Sequence, residues 1–222
     1  MRLEASVLEA PVGRLSTFDD DVGDTRFRAL MRAEEWASLP SAVRRRFSKR
    51  LANGATMLYT GEVLETTMSR VGWLFAQAAR LIGGPLPLMR NRHVPAVVAV
   101  TEDHASRGQI WTRLYGRPGR FAQVVHSCKR FAGPTGLEEY VGHGVGMTLT
   151  VAARAGALIF RSKDYFVELF GRRFRLPAWL APGVTMVTHA ELPDGRFAFT
   201  LQVIHPRLGL LIRQMAMFRE VV

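Results

Sequence analysis

The chain has 222 residues, 48% hydrophobic and 22% charged, enough to bury a sizeable core without a metal or disulfide staple. Its formal net charge is +11, but only Lys49, Lys129 and Lys163 are lysines, and no basic–aromatic module of the nucleic-acid-binding kind occurs, which argues against a specific nucleic-acid partner. The single cysteine, Cys128, excludes an internal disulfide and favours a reducing, cytoplasmic setting. The opening MRLEASVLEAPVG is no secretory signal, and no run reaches the roughly 18 apolar residues of a transmembrane helix.

Residues 1–22 show no sustained period and read as a loose arm ahead of one domain spanning 23–222. Asp24 is placed to cap a helix carrying Phe27, Leu30 and Met31 and ending near Trp36. Pro40 suits the first position of a second helix with Val43, Phe47 and Leu51 on one face, stopped by Asn53-Gly54. Arg44, Arg45, Arg46, Lys49 and Arg50 occupy its other faces, either as a solvated surface or as a contact for an anionic membrane or acidic protein. A first strand is expected over 55–63, with Gly61 marking a bulge. A helix over 66–82 follows, with Met68, Val71, Phe75, Ala78, Ala79 and Ile82 on a core stripe.

From Val94 onward the pattern is β, broken by turn chemistry. Strands are predicted over 94–102, 107–115, 120–130, 137–142, 145–153, 156–162, 165–170, 184–192, 197–205 and 210–219. Short spacings without intervening helices argue for an antiparallel meander. The expected fold is α+β, mainly antiparallel β: N-terminal helices, then a strongly curved 8–10-stranded sheet, barrel-like or helix-grip-like, because a sheet of that width must curl. The irregular Pro177–Pro182 segment is suited to covering a barrel mouth.

Alternation sorts the side chains by face. Gln109, Trp111, Arg113 and Tyr115 share one side of their strand; Gln123, Val125, Ser127 and Lys129 share one side of the next. Arg113 is expected to pair with Glu139 across strands. Cys128 reads as a small buried thiol, and Ser127 as structural. Late in the chain, Gln202 shares a face with Ala198, Thr200 and Ile204, and Gln214 with Ile212, Ala216 and Phe218. Apolar strands with a few such polar groups suit a cavity for an apolar or amphipathic, lipid-like small molecule, with Trp111, Arg113, Glu139, Gln202 and Gln214 as candidate ligand contacts. The competing reading is a barrel plugged by its own side chains.

Motifs for established chemistries are missing. The histidines lack HxxxH, HExxH or HxH spacing, and there is no nucleophile elbow, P-loop or dinucleotide fingerprint, so no metal or cofactor is expected. Gly142–Gly146 lies between strands and reads as a bulged turn. Ser127 and His126 are adjacent on a strand and point to opposite faces, which rules them out as direct partners. An enzyme of cyclase or isomerase type would have to use Glu139 with His143 or Arg113 as acid–base groups.

A set of ordered short motifs spans residues 25–220: Phe27-x-x-Leu30, Trp36-x-x-Leu39-Pro40, Gly61, Trp111-x-Arg113, Glu139-x-x-Gly142, Gly171 with Leu176-Pro177, Leu180-x-Pro182, Arg196-Phe197-x-Phe199 and His205-Pro206-x-Leu208-Gly209. In order and spacing they resemble the uncharacterised bacterial family catalogued as domain of unknown function 4166. Tyr115 stands where that family usually has phenylalanine. The resemblance implies no established activity and no catalytic residues. It implies a partner of the nucleotide-dependent oxidoreductase kind, since the domain often follows such a nucleotide-binding domain.

Overall fold

Apolar alternation along successive strands demands that one face of the sheet be buried, and the chain meets this by closing the sheet on itself; outward apolar residues such as Val124, Ile204 and Leu210 stay exposed. A computed structural model describes residues 23–90 and 92–221; the expected arm over 1–22 lies outside the described residues. Among the described residues eleven strands form one antiparallel sheet. They are β1 (Thr56–Met68), β2 (Arg92–Asp103), β3 (Gly108–Arg117), β4 (Arg120–Arg130), β5 (Glu138–Gly142), β6 (Val145–Arg154), β7 (Ala157–Leu169), β8 (Arg172–Arg175), β9 (Val184–Glu191), β10 (Arg196–His205) and β11 (Gly209–Glu220). Consecutive strands pair from β1 to β7; β9 then joins β7, β10 and β11 follow, and β11 pairs with β1. The result is a closed ten-stranded barrel with β8 attached outside the ring on the end of β7.

Helices close both ends of the barrel. At one end a 3₁₀ turn (Arg28–Leu30), α1 (Ala33–Ala37) and α2 (Ser41–Phe47) bring Phe27, Trp36, Leu39, Val43, Phe47 and Leu51 into the core. They join inward residues such as Tyr59, Val98, Phe160 and Phe199. At the other end lie α3 (Arg70–Ala78) and a 3₁₀ turn (Ala79–Ile82), packed on β11 and the end of β1. Among the described residues no helix is long and apolar enough to cross a membrane.

Several local expectations change. The first helix breaks at Met31, whose extended backbone separates the 3₁₀ turn from α1, and Asp24 instead binds Arg26 through backbone and guanidinium. The second helix stops at Phe47, although Leu51 remains buried. The helix expected from residue 66 begins at Arg70, because Thr66 and Thr67 extend β1 and pair with Gln214 and Arg213 of β11. Ser69 then caps it, its hydroxyl accepting from the Gly72 N–H at 2.9 Å. The buried face of α3 is Gly72 and Ala76, continued by Ala79, while Val71 and Ala78 are exposed. The predicted strands 156–162 and 165–170 are one strand, β7. The polar Lys163-Asp164 step between them is a bulge, where four residues from Ser162 to Tyr165 oppose three from Met147 to Leu149.

Two glycines set how tightly the ring and its cap fit. A side-chain carbon at Gly61 would lie 1.9 Å from the Met217 carbonyl oxygen on β11. One at Gly72 would lie 2.0 Å from the Leu211 carbonyl oxygen, so α3 rests on β11 backbone to helix. Gly72→Val should therefore lower unfolding stability by about 3 kcal/mol and loosen α3; urea unfolding and hydrogen exchange across 70–82 would register both. Unchanged protection there would contradict this contact.

Candidate functional site

The barrel is filled at the α1–α2 end and hollow at the α3 end. A cavity of about 300 Å³ is bounded by Phe75, Ala79 and Ile82 on the α3 side and by Leu176, Leu180 and Pro182 of the β8–β9 connection. Barrel residues Val125, Val141, Met147, Val187 and Leu201 supply most of the remaining wall. The expected covering role of the 177–182 segment agrees with this placement. The strand that carries Ser127 also fixes the cap: Gln123 donates to the Leu86 carbonyl at 2.9 Å and accepts from the Leu88 N–H at 3.1 Å. Arg90 reaches the Met68 carbonyl at 2.9 Å. The turn after α3 is thus pinned to strands on both sides of the mouth.

Polar groups enter the cavity from neighbouring strands. Arg113 of β3, Ser127 of β4 and Glu139 of β5 line it together. Arg113 Nη1 donates to Ser127 Oγ at 3.1 Å and Arg113 Nη2 lies 3.9 Å from Glu139 Oε1. The expected Arg113–Glu139 pairing is present, but the nearer partner of Glu139 is Lys129, whose Nζ is 3.0 Å from the same oxygen. Lys129 lies beneath the cavity floor, over the Trp111 and Phe160 rings at 4.9 and 5.5 Å. Higher in the wall, the Tyr165 and Thr185 hydroxyls bond at 2.7 Å, and Gln214 donates to Thr66 Oγ1 at 3.1 Å. Among the described residues the Gln214 Oε1 atom has no hydrogen-bond partner.

Charge is therefore buried where it must be compensated. Burial alone would raise the Glu139 pKa, but Lys129 and Arg113, with hydrogen bonds from Ser127 and Lys129, outweigh it and hold the carboxyl below its usual 4.5. Burial pushes Lys129 down from its ordinary 10.5, opposed by the attraction of Glu139 and assisted by repulsion from Arg113. Deeper still, His189 of β9 is ringed by Phe47, Trp111, Phe160, Phe197 and Phe199, with centroids 5.1 to 6.2 Å away. Burial, reinforced by Arg46, Lys129 and Arg113, lowers its pKa well below 6.5, so it is a neutral imidazole.

The candidate residues divide. Arg113, Glu139 and Gln214 line the cavity; Trp111 lies inside the barrel below it, against the neutral histidine. Gln202 does not line it, because it alternates with the inward Leu201 and Val203 and sits on the outer face with Ile204. Ser127, read from sequence as merely structural, is part of the polar floor. Cys128 is half-buried on the outer face, its Sγ 3.2 Å from Asp103 Oδ2, and not a core thiol. His126 also faces outward, against Thr112 at 3.1 Å. His143 is exposed in the β5–β6 turn and takes no part in the cavity. Two of the basic residues on and after α2 turn away from a free surface: Arg46 pairs with Glu191 at 2.9 Å over the Phe197 ring, and Lys49 pairs with Glu220. Lys129, His189 and the Tyr165–Thr185 pair escaped sequence reasoning; only the alternation of Val125, Ser127 and Lys129 on one face pointed to the lysine.

The match to known families covers the strands that build this site. Residues 39–218 match the family described as a domain of unknown function, DUF4166. The chain belongs to that family. Comparison with curated proteins and with solved structures finds no match. Membership thus brings no assigned chemistry.

Two outcomes test the electrostatic account. Lys129→Met leaves Glu139 buried with the Ser127 hydrogen bond but only the distant Arg113 as a countercharge, and should cost about 3–5 kcal/mol in urea unfolding. For His189, the unfolded chain takes up a proton below about pH 6.5 that the folded protein refuses, so stability present above 6.5 falls as pH drops, by roughly 1 kcal/mol per pH unit. Loss of the ionised Glu139 adds a second decline below 4.5. His189→Phe should abolish the first decline and leave the second; a pH series of denaturation midpoints separates them.

Proposed function

We propose that the protein binds an apolar or amphipathic small molecule inside its barrel. The observation that carries this reading is the cavity itself: one end of the barrel is packed solid with side chains, while the other keeps about 300 Å³ free beneath a helix cap. Binding pockets occupy roughly 300–1,000 Å³, and an apolar wall with a few fixed polar groups is their usual construction. At roughly 30 Å³ for a methylene-sized unit, the volume a water takes in the liquid, the space holds about ten such units. That suits one short chain or a compact ring system and is too little for a two-chain lipid.

An acid–base catalytic role has weaker support. Glu139 is held ionised by two cations, which deprives it of the raised pKa of a general acid, and His143 stands outside the cavity.

The test has two arms. Organic extracts of the purified protein, examined by mass spectrometry, should contain a stoichiometric small amphiphile, or the emptied protein should gain thermal stability with single-chain alkyl compounds. Leu201→Trp, which fills the cavity from β10, should abolish that gain while keeping the fold. Empty extracts with no thermal shift from any alkyl compound would overturn the proposal.

A further inference from the structure

Two charged residues line the cavity, and they are unequally satisfied. Glu139 has Lys129 at 3.0 Å and hydrogen bonds from Ser127 and Lys129. Arg113 has five N–H donors and cannot lose its proton, yet among the described residues its side chain makes one hydrogen bond, to Ser127 Oγ. Its other contacts are Glu139 at 3.9 Å, beyond hydrogen-bonding reach, and the Trp111 ring at 5.7 Å. A guanidinium in an apolar chamber with most of its donors unmet is a site that receives a hydrogen-bond acceptor.

Charge counting points the same way. The ionisable groups that meet at the floor are Arg113, Lys129, Glu139 and His189. Two are cations, one is an anion, and the imidazole is neutral; Arg46, the other cation near the histidine, has its own carboxylate in Glu191. The cluster is short of one negative charge. Buried charge left unbalanced is costly, and a ligand that supplies the missing anion recovers that cost.

We infer that the ligand carries a single carboxylate head, received by the Arg113 guanidinium, with its apolar body filling the space toward α3 and the Leu176–Pro182 segment. This rests on the binding function proposed above and specifies its chemistry. A carboxylate matches the guanidinium fork with two parallel hydrogen bonds. A phosphate head brings close to two charges to a site lacking one. An amine head repeats the excess. The Glu139 carboxylate does not repel the head decisively, because Lys129, 3.0 Å from Glu139 Oε1 and absent from the cavity lining, already neutralises it.

The experiment is a head-group series at constant chain length on the 222-residue chain: decanoate, decanol, decylamine and decyl phosphate, titrated calorimetrically below their aggregation concentrations. Decanoate is expected to bind at least tenfold more tightly than decanol and decylamine, and more tightly than decyl phosphate. In Arg113→Met the decanoate-to-decanol ratio should fall to about one, with decanol affinity retained. Equal or tighter binding of decanol, decylamine or decyl phosphate to the unaltered protein would overturn the inference, and so would a carboxylate preference that survives in Arg113→Met. The series on the unaltered protein decides the matter if that variant does not fold. Binding of decanol without preference for decanoate removes the head assignment alone, whereas binding of no alkyl compound removes the proposed function with it.

Discussion

The pairing of β1 with β11 is the contact on which the rest depends. It joins strands some 150 residues apart in sequence and converts a curled meander into a ring. Only after that closure are Trp111, Arg113, Lys129, Glu139 and His189 enclosed by protein on all sides. The pairing tolerates little at its centre, where Gly61 lies against the Met217 carbonyl. The loop-closure entropy of so distant a pairing must be offset by the apolar interior it seals, including Tyr59, Ala216 and Phe218 from these two strands.

The interior is graded along the barrel axis. Aromatic rings from α2, β7 and β10 fill the first end around a neutral histidine; a layer with three charges follows; open space begins above it. This order is consequential. The packed end denies water to Lys129 and Glu139 from below, which strengthens their attraction and makes every unmet donor beside them expensive. A cavity over such a floor differs from an incidental packing void, which is apolar throughout.

Much of this was legible in the sequence because turn chemistry and two-residue alternation are local. Turn chemistry marked the hairpins, and alternation put Arg113 with Trp111 and Tyr115 on one side of a strand and Lys129 with Ser127 on one side of the next, without fixing which side faces inward. What escaped depended on partners far along the chain. The bulge in β7 looked like a turn, since a polar pair interrupts alternation in either case. Thr66-Thr67 joined the strand and not the helix because β11 was there to receive it. A search for large apolar residues missed the packing face of α3, whose close approach to β11 requires Gly72 and Ala76. His189 gave no local sign, since its five aromatic neighbours come from three other strands and a helix and assemble only on closure. Gln202 was singled out by residue type, although alternation put it on the face opposite Phe197, Phe199 and Leu201.

One strand stands outside the ring. β8 hydrogen-bonds to β7 on one side, and among the described residues its other side is a sheet edge. Such an edge is a template on which a second chain can add strand by strand, the first step toward fibrous aggregation. β8 has only four residues, three of them arginines, all exposed. Like charges facing one another across any new pairing repel, and so short a ladder offers few hydrogen bonds in return. The basic character that composition alone spread over the whole molecule thus has a local physical effect at this edge: Arg172, beside the ion-paired Arg173 and Arg175, opposes strand-by-strand addition of a second copy.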